Sequence, residues 1–280
     1  MKLFNSLLLS IVVLAFSCTE KTTSEENDMT INDPHSYADP ETSKVTHLDW
    51  DAEVDFDNKI ISAKASLTLN NSEDATQVVL DTKGLKIKSI MADGSPTTYE
   101  LGEPNDVLGQ SLTIAITPDT EVVAIEYETS NDAEALQWLK PVQTADQLGP
   151  FLFTQSQAIL ARSWVPIQDS PGIRFTYNAT VQVPKGMLAL MSANNPTVKT
   201  EDGSYSFKME QPIPAYLLAL AVGHVDFVPL GDRSGVYAEP SVIDRAAYEF
   251  EDLEEMITAA EELYGPYKWE RYDLIVLPPS

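Results

Sequence analysis

The sequence has few basic residues, one cysteine and three histidines, and each shortage excludes something. Its 280 residues include 18 Lys and Arg against 43 Asp and Glu, which gives a formal net charge of −25. A chain this acidic cannot neutralise nucleic-acid phosphates and is repelled by an anionic membrane surface, so nucleic acid is excluded as a partner. Because Cys18 is the only cysteine, no intrachain disulfide can form.

The sequence also lacks the short motifs around which several kinds of active site are built. A catalytic zinc needs about three protein ligands, among which histidine is prominent. The histidines here, His35, His47 and His224, are scattered, and no His-Glu-x-x-His occurs. There is no Gly-x-Ser-x-Gly and no Gly-rich phosphate loop. We therefore expect no metal site and no complete catalytic site within these 280 residues, and we interpret His47 and His224 as structural.

Residues 1–17 have the features of a lipoprotein signal peptide. Lys2 is followed by an apolar run, Leu7 to Phe16, that is too short to cross a bilayer as a helix, and Ser17 precedes Cys18. Cleavage before Cys18 would leave its thiol to carry lipid, and acyl chains would hold an acidic protein at a membrane. The alternative is an ordinary secretory signal with an incidental cysteine. Both kinds of signal predict a protein of the cell envelope. It would be lipid-anchored, or periplasmic or extracellular after signal cleavage.

The remainder divides into a tether, a β domain and the start of something else. Residues 18–44 are rich in Thr, Ser, Glu, Asn and Asp, which is typical of a flexible tether. Residues 45–230 alternate between apolar and polar positions, as Leu48, Trp50 and Ala52 do, which predicts β-strands with one buried face. Strands are predicted at 48–56, 61–69, 77–81, 85–92, 111–116, 121–128, 151–157, 174–183, 188–192, 204–209 and 215–228. Strands without intervening helices predict a mainly β fold, a sandwich or a layered, saddle-like antiparallel domain.

The periodicity changes after residue 230. Apolar residues from Val242 to Tyr264 recur every three or four positions, which predicts one amphipathic helix ending at Gly265. Its outer face is predicted to be a solvated set of acids: Glu249, Glu251, Asp252, Glu254, Glu255, Glu261 and Glu262. An apolar strand follows at 272–277. One helix and one strand cannot bury a core, so 231–280 is interpreted as the opening of a truncated second domain. The alternative is an appendage packed on the β domain.

A series of motifs resembles the M1 zinc aminopeptidases, in the branch of leukotriene A4 hydrolase and aminopeptidase B. The motifs follow one another in the family's order: Ala135-Leu-Gln-Trp-Leu-Lys-Pro141, Phe151-Leu-Phe-Thr-Gln-Ser-Gln-Ala158, Arg162 with Pro166, Asp169 and Pro171, Ile213-Pro-Ala-Tyr-Leu217, Gly265-Pro-Tyr267 with Trp269, and Tyr272-Asp-Leu-Ile-Val-Leu-Pro-Pro-Ser280. The resemblance covers roughly residues 33–280 and implies that 45–230 is the family's N-terminal β domain. Residues 231–280 would open a thermolysin-like α/β catalytic domain.

The departure from the family is equally specific. There, the strand ending Leu-Pro-Pro-Ser leads to Gly-Gly-Met-Glu-Asn and His-Glu-x-x-His, and neither occurs in these 280 residues. The resemblance implies a complete enzyme that uses zinc-activated water to remove N-terminal residues from peptides. We expect this chain to be the N-terminal portion of such an enzyme, to lack every zinc ligand and to be inactive alone.

Three residues are expected to contact substrate. The resemblance implies that Gln157 helps to hold the free α-amino group, that the backbone of Ala158 lines the same pocket and that Gln155 shares the strand face. A neutral amide accepts a hydrogen bond from an ammonium group more weakly than a carboxylate does. The alternative is that these glutamines are surface or inter-strand residues.

For the whole chain, the alternative function is that of a non-catalytic envelope lipoprotein whose β domain binds peptide or protein.

Overall fold

The structure is a computed structural model that describes residues 33–279. The predicted signal peptide, 1–17, and the predicted lipidation site, Cys18, lie outside these residues. Among the described residues, no helix is both long and apolar enough to cross a membrane.

The described chain is mainly β, which confirms the predicted fold class. The strands are β1 (Ser43–Asp55), β2 (Ile60–Asn71), β3 (Gln77–Thr82), β4 (Lys86–Ala92), β5 (Ser95–Pro96), β6 (Tyr99–Leu101), β7 (Gln110–Ala115), β8 (Val122–Glu128), β9 (Leu136–Leu139), β10 (Phe151–Thr154), β11 (Arg174–Gln182), β12 (Leu188–Met191), β13 (Ser204–Pro214), β14 (Leu220–Gly223), β15 (Asp226–Pro229), β16 (Ser234–Ala238) and β17 (Tyr272–Ile275). The helices are α1 (Ile243–Glu249) and α2 (Leu253–Tyr264), and short 3-10 turns occupy Pro141–Gln143, Ala161–Ser163 and Ala215–Leu217.

The largest sheet has seven strands in the order β13-β11-β1-β2-β8-β4-β5. Its pairings are antiparallel except for β1 with β11, which run parallel. A four-stranded sheet, β12-β14-β10-β9, carries the strand that leads to the predicted substrate residues. Two three-stranded sheets, β3-β7-β6 and β15-β16-β17, complete the layers.

The predicted alternation is what builds the core. Every second residue from Leu48 to Val54 on β1 and from Ile61 to Leu67 on β2 is buried, while the residues that alternate with them are more exposed. Burying one face of each strand removes apolar surface from water, which stabilises the fold by about 25 cal/mol for each Å² buried. A second, smaller core lies between β16 and α1. The three-stranded sheet and its helix therefore bury a core of their own, which the sequence did not lead us to expect.

A cationic side chain, that of Arg162, is completely buried in the β body. Arg162 has no exposed surface, and its Nε lies 3.2 Å from Oδ2 of Asp169. Its Nη1 donates to the carbonyl oxygen of Leu108 at 2.8 Å and lies 3.6 Å from Oδ1 of Asp81. Its Nη2 donates to the carbonyl oxygen of His35 at 2.8 Å. A buried guanidinium needs both counter-charges and acceptors, and Arg162 has both.

The end of the predicted tether is attached to this cluster. Ser36 donates its hydroxyl proton to Oδ2 of Asp81 at 2.6 Å, and the backbone N–H of Tyr37 donates to Oδ1 at 2.7 Å. Strand β1 then begins at Ser43, two residues before the predicted start of the β domain. Residues 33–44 are therefore bound to the body. The division at 230/231, which falls between the paired strands β15 and β16, stays a prediction.

The predicted single helix is wrong, because the chain leaves helical geometry at Phe250 (φ −106°, ψ 18°). Helix α1 buries Ile243 and Ala246 against its sheet, and α2 begins anew at Leu253. The apolar spacing continues through the break, so periodicity alone does not reveal it.

Two of the acids predicted to be solvated on that helix are ion-paired instead. Nη1 and Nη2 of Arg233 donate to both carboxylate oxygens of Glu261 at 2.8 and 2.7 Å, and its Nε lies 3.3 Å from Oε2 of Glu254. These hydrogen bonds lower the pKa of Glu261 to about 2. The pairing fixes α2 against the turn that precedes β16.

The strand predicted at 215–228 is also wrong as a single element, and β16 was missed. Ala215–Leu217 forms a 3-10 turn, and β14 and β15 follow as separate strands in different sheets. All five residues of β16 are buried, so this strand shows no polar alternation by which to find it.

The buried ion cluster predicts a pH dependence of stability. Burial raises the pKa of Asp169 to about 6 from an ordinary 3.8, although Arg162 opposes the shift. The folded state then holds a proton between pH 4 and 6 that the unfolded state releases. This group's contribution to the free energy of unfolding is therefore full below about pH 4 and is lost as the pH rises through 6. The unaltered protein should therefore lose on the order of 3 kcal/mol of unfolding free energy between pH 4 and 7.

We expect Asp169→Asn, whose side chain cannot titrate, not to show that loss. Urea unfolding of both proteins from pH 4 to 7 measures the two unfolding free energies, and parallel pH curves would contradict the prediction.

Candidate functional site

The predicted substrate residues lie just beyond the end of β10. The predicted strand 151–157 is too long, since β10 ends at Thr154 and the chain then turns towards the 3-10 segment at Ala161–Ser163. Gln155, Gln157 and Ala158 are exposed, and Ser156 between them is only 3% exposed. The alternation of a strand thus continues past the strand, and both glutamines face outward. We call residues 155–160 the glutamine loop.

The two glutamines of this loop have different environments. Gln155 donates its backbone N–H to the carbonyl oxygen of Ala135 at 2.9 Å, and its Oε1 accepts the N–H of Gln157 at 3.1 Å. Within residues 33–279, the side-chain amide of Gln157 makes no hydrogen bond to the protein. The peptide bond between Gln157 and Ala158 is cis. Gln155 therefore supports the loop, while the amide of Gln157 is available to a ligand.

Ser156 fixes the loop from below. Its hydroxyl donates to the carbonyl oxygen of Leu218 at 2.8 Å and accepts the indole N–H of Trp164 at 3.1 Å. Its carbonyl oxygen accepts the N–H of Leu160 at 2.8 Å, which closes the loop into a turn. Ser156, Trp164 and Leu218 are all at most 3% exposed. Without the hydroxyl, a buried indole N–H and a buried carbonyl would both lose their partner.

These bonds continue into the centre of the β body. Tyr127 donates its hydroxyl proton to the carbonyl oxygen of Trp164 at 2.8 Å and accepts the indole N–H of Trp50 at 2.9 Å. The rings of Trp50 and Trp164 meet edge to face with centroids 5.3 Å apart. Burial raises the pKa of Tyr127, so this hydroxyl keeps its proton and remains a donor. The hydrogen-bonded series Trp50, Tyr127, Trp164 and Ser156 thus connects β1 and β8 to the glutamine loop.

Two open cavities lie near the strand that carries the loop. One of about 310 Å³ is lined by Phe153, Thr154, Leu190, Leu220 and Leu274, and so begins one residue before Gln155. The other, of about 830 Å³, shares Met191 with it and extends to the aromatic residues Tyr267, Trp269 and Tyr272. Both have mixed polar and apolar walls, as sites for organic ligands do.

The described residues do not fit a zinc ion. Among residues 33–279, no group of three or more His, Cys, Asp or Glu side chains is placed to hold a metal. His47 is engaged on the sheet surface, with Nδ1 2.6 Å from Oγ1 of Thr176 and Nε2 3.1 Å from Nδ2 of Asn178. We therefore assign no chemical step of these residues to a metal.

The sequence motifs pointed to Gln155 and Gln157 but not to Ser156 between them. Ser156 carries no recognisable signal except its place in an alternating pattern, where the position between two outward residues points inward. Trp164 and Tyr127 are large apolar residues that any core would contain. The hydrogen bond from Trp164 to Ser156 joins residues 8 positions apart, and the one from Tyr127 to Trp164 joins residues 37 positions apart.

Known proteins match this chain over most of its length. Residues 44–217 match the Peptidase M1 N-terminal domain family. The Xenopus laevis protein named leukotriene A-4 hydrolase is 40% identical over 259 residues, which are 89% of this chain and 42% of that protein. The Yarrowia lipolytica protein named leucine aminopeptidase 2 is 37% identical over 253 residues, 89% of this chain and 39% of that protein. The chain thus spans about two fifths of the length of these curated relatives.

Solved structures match in the same way. Yeast LTA4 hydrolase in complex with bestatin has a TM-score of 0.82 at 30% identity, covering 94% of this chain and 41% of that one. A mutant M1 zinc metallopeptidase from Deinococcus radiodurans, bound to Tyr-Ser-Ala substrate, has a TM-score of 0.66 at 19% identity, covering 85% and 57%. At that identity, the second match is evidence for the fold alone.

Proposed function

The chain belongs to the M1 peptidase family through its N-terminal domain, and from that premise we propose that it forms the substrate-contacting N-terminal part of a zinc aminopeptidase. The complete enzyme would remove N-terminal residues from peptides. The names of relatives support this reaction, since one is a leucine aminopeptidase. The same name supports peptide as the substrate class, since an aminopeptidase acts on the amino end of a peptide.

The observation that carries the proposal is the exposed, unpartnered amide of Gln157 above a buried anchor. Its carbonyl oxygen can accept a hydrogen bond from a substrate ammonium group. The backbone of Ala158, the exposed residue that follows it, would line the same pocket. Gln155 would act through the loop, because its side chain accepts the N–H of Gln157. Together these residues supply binding and orientation of a peptide's amino end, and they supply no nucleophile or base.

Zinc enters this proposal as the metal of the complete enzyme. The family includes zinc metallopeptidases, and a bound zinc would supply activated water for hydrolysis. We propose that its ligands lie outside these 280 residues and that this chain is a portion of the enzyme. The support is the sequence, which has no His-Glu-x-x-His and only three separated histidines.

We also propose that the protein is held in the cell envelope by lipid on Cys18. The support is the order of Lys2, the apolar run 7–16 and Ser17 before the single cysteine. Lipid attachment would hold an acidic protein at a membrane without basic residues on its surface.

The second candidate function is a non-catalytic envelope lipoprotein that binds peptide or protein. It is favoured by the β body, which buries a large core of its own. Both candidates use the same surface for peptides, so binding alone does not separate them. Hydrolysis by the complete gene product does.

A first prediction concerns hydrolysis. The purified 280-residue chain, with zinc added, is expected to release no nitroaniline from leucine p-nitroanilide above the buffer rate, because it lacks the family's zinc motif. The Yarrowia lipolytica leucine aminopeptidase 2 is the positive control. Release that follows this chain through purification and stops with a chelator would contradict the predicted inactivity. A longer gene product with zinc-dependent release would favour the enzyme over the binding protein.

A second prediction concerns the amino end of the ligand. By NMR titration, the chain is expected to bind Tyr-Ser-Ala more tightly than its N-acetylated form. Gln157→Leu should lower that preference about tenfold, the effect of one hydrogen bond to a charged group. Gln77→Leu, a matched change at an exposed strand residue, should leave the preference unaltered. Equal binding of both peptides by the unaltered chain would remove Gln157 as an amine contact.

A third prediction concerns Cys18. Expressed in a bacterium that processes lipoproteins, the protein is expected in the membrane fraction, with an N-terminal peptide whose mass includes diacylglycerol. Cys18→Ser should move it to the soluble fraction, because a hydroxyl cannot replace the thiol in lipid transfer. Unaltered protein in the soluble fraction, without diacylglycerol on its N-terminal peptide, would favour the ordinary secretory signal.

A further inference from the structure

We propose that Ser156 is a positioning residue for substrate, setting the direction of the Gln157 amide through its two buried hydrogen bonds. This inference rests on the proposed function, since it concerns the same peptide site. The hydroxyl of Ser156 is out of a ligand's reach, because it bonds to buried partners and the whole residue is only 3% exposed. Its effect is on where the next residue points.

The glutamine loop has few other restraints. It belongs to no strand or helix, since β10 ends at Thr154 and the 3-10 turn begins at Ala161. Gln155 is bonded to Ala135 at one end, and Leu160 is bonded to the carbonyl of Ser156 at the other. Between those points, the hydroxyl of Ser156 makes the only side-chain bonds that this part of the described chain sends into the core.

Those two bonds join Ser156 to two different segments and so define its position. Leu218, which accepts from the hydroxyl, follows the 3-10 turn at Ala215–Leu217. Trp164, which donates to it, follows the 3-10 turn at Ala161–Ser163. The loop is therefore suspended between two separate parts of the body. Gln157 directly follows Ser156 and is exposed, so fixing Ser156 inward limits the directions in which Gln157 can point.

The anchor is itself rigid. Trp164 is completely buried, packs edge to face on Trp50 and accepts a hydrogen bond from Tyr127 through its carbonyl oxygen. A weak hydrogen bond from a mobile partner would not orient a loop, whereas one from a fully packed indole does. As a consequence, the preference for a peptide with a free amino end depends on Ser156, which does not contact that peptide.

The test compares Ser156→Ala with Tyr205→Phe in the full 280-residue chain. Tyr205 is the matched control, since its buried hydroxyl also donates to a carbonyl, that of Met187, and accepts an N–H, that of Thr200. Both changes remove one buried hydroxyl and leave two groups unpaired, so both destabilise the fold. Only the first removes the anchor of the glutamine loop. Ser156→Cys, which keeps a weaker donor and acceptor, serves if the alanine variant does not fold.

Two readouts separate positioning from general destabilisation. Amide exchange at Gln157 and Leu160, relative to amides of β1 and β2, should quicken about tenfold in Ser156→Ala and stay unchanged in Tyr205→Phe. The preference for Tyr-Ser-Ala over its N-acetylated form should fall by a similar factor in Ser156→Ala alone, with Ser156→Cys between the two. Unchanged exchange and preference in Ser156→Ala would overturn the inference. A faster loop with an unchanged preference would overturn it as well.

Failure of the proposed function gives a different result. If the unaltered chain binds the free and the acetylated peptide equally, the amine contact of Gln157 is absent and the positioning role of Ser156 falls with it. If the unaltered chain discriminates and all three variants discriminate equally well, the proposed function stands and only the inference about Ser156 is lost.

Discussion

The buried guanidinium of Arg162 is the interaction on which the arrangement of the β layers depends. It reaches four separate pieces of chain: the segment before β1 through His35, the hairpin before β7 through Leu108, the end of β3 through Asp81, and the loop before β11 through Asp169. No apolar side chain could satisfy so many inward-facing polar groups at once. Removing the cation would leave two carboxylates buried together, which is among the most destabilising changes a core can suffer.

Arg162 also ties the body to the glutamine loop, because it lies four residues after Ala158. The same short stretch holds Arg162 by its ionic contacts and Trp164 by its packing and hydrogen bonds. The exposed glutamines are therefore mounted on one of the most constrained parts of the described chain. A binding surface gains affinity when its groups are held before the ligand arrives, and this arrangement holds them with side chains that never reach the surface.

The extent to which sequence predicts this structure follows from the range of each interaction. Alternation along β1 and β2 is local, and so the residue pattern alone assigns Leu48, Trp50 and Ile61 to the core. Ordered motifs predicted the family, which the comparisons confirm, and the same motifs led to the proposed role of Gln157. The pairing of Arg233 with Glu254 and Glu261 spans 21 and 28 residues, and a helix pattern sees only the acids. Strand β16, buried on both faces, has no alternation to detect. The role of Ser156 is set by Trp164 and Leu218, whose distance from it in space is invisible in the sequence.

The parallel pairing of β1 with β11 has a consequence for how the protein is made. His47 on β1 lies beside Thr176 on β11, 129 residues further along the chain. At a synthesis rate of about 5–20 residues per second, one edge of a central strand waits roughly 6–26 s for its neighbour. During that interval β1 can pair with β2 on one side, while its other edge stays unfilled and open to pairing with other chains. The same long-range closure makes the sheet slow to assemble from the denatured state. The pairing of β1 with β11 therefore sets a time during synthesis in which an edge of β1 is open to pairing with other copies of the chain.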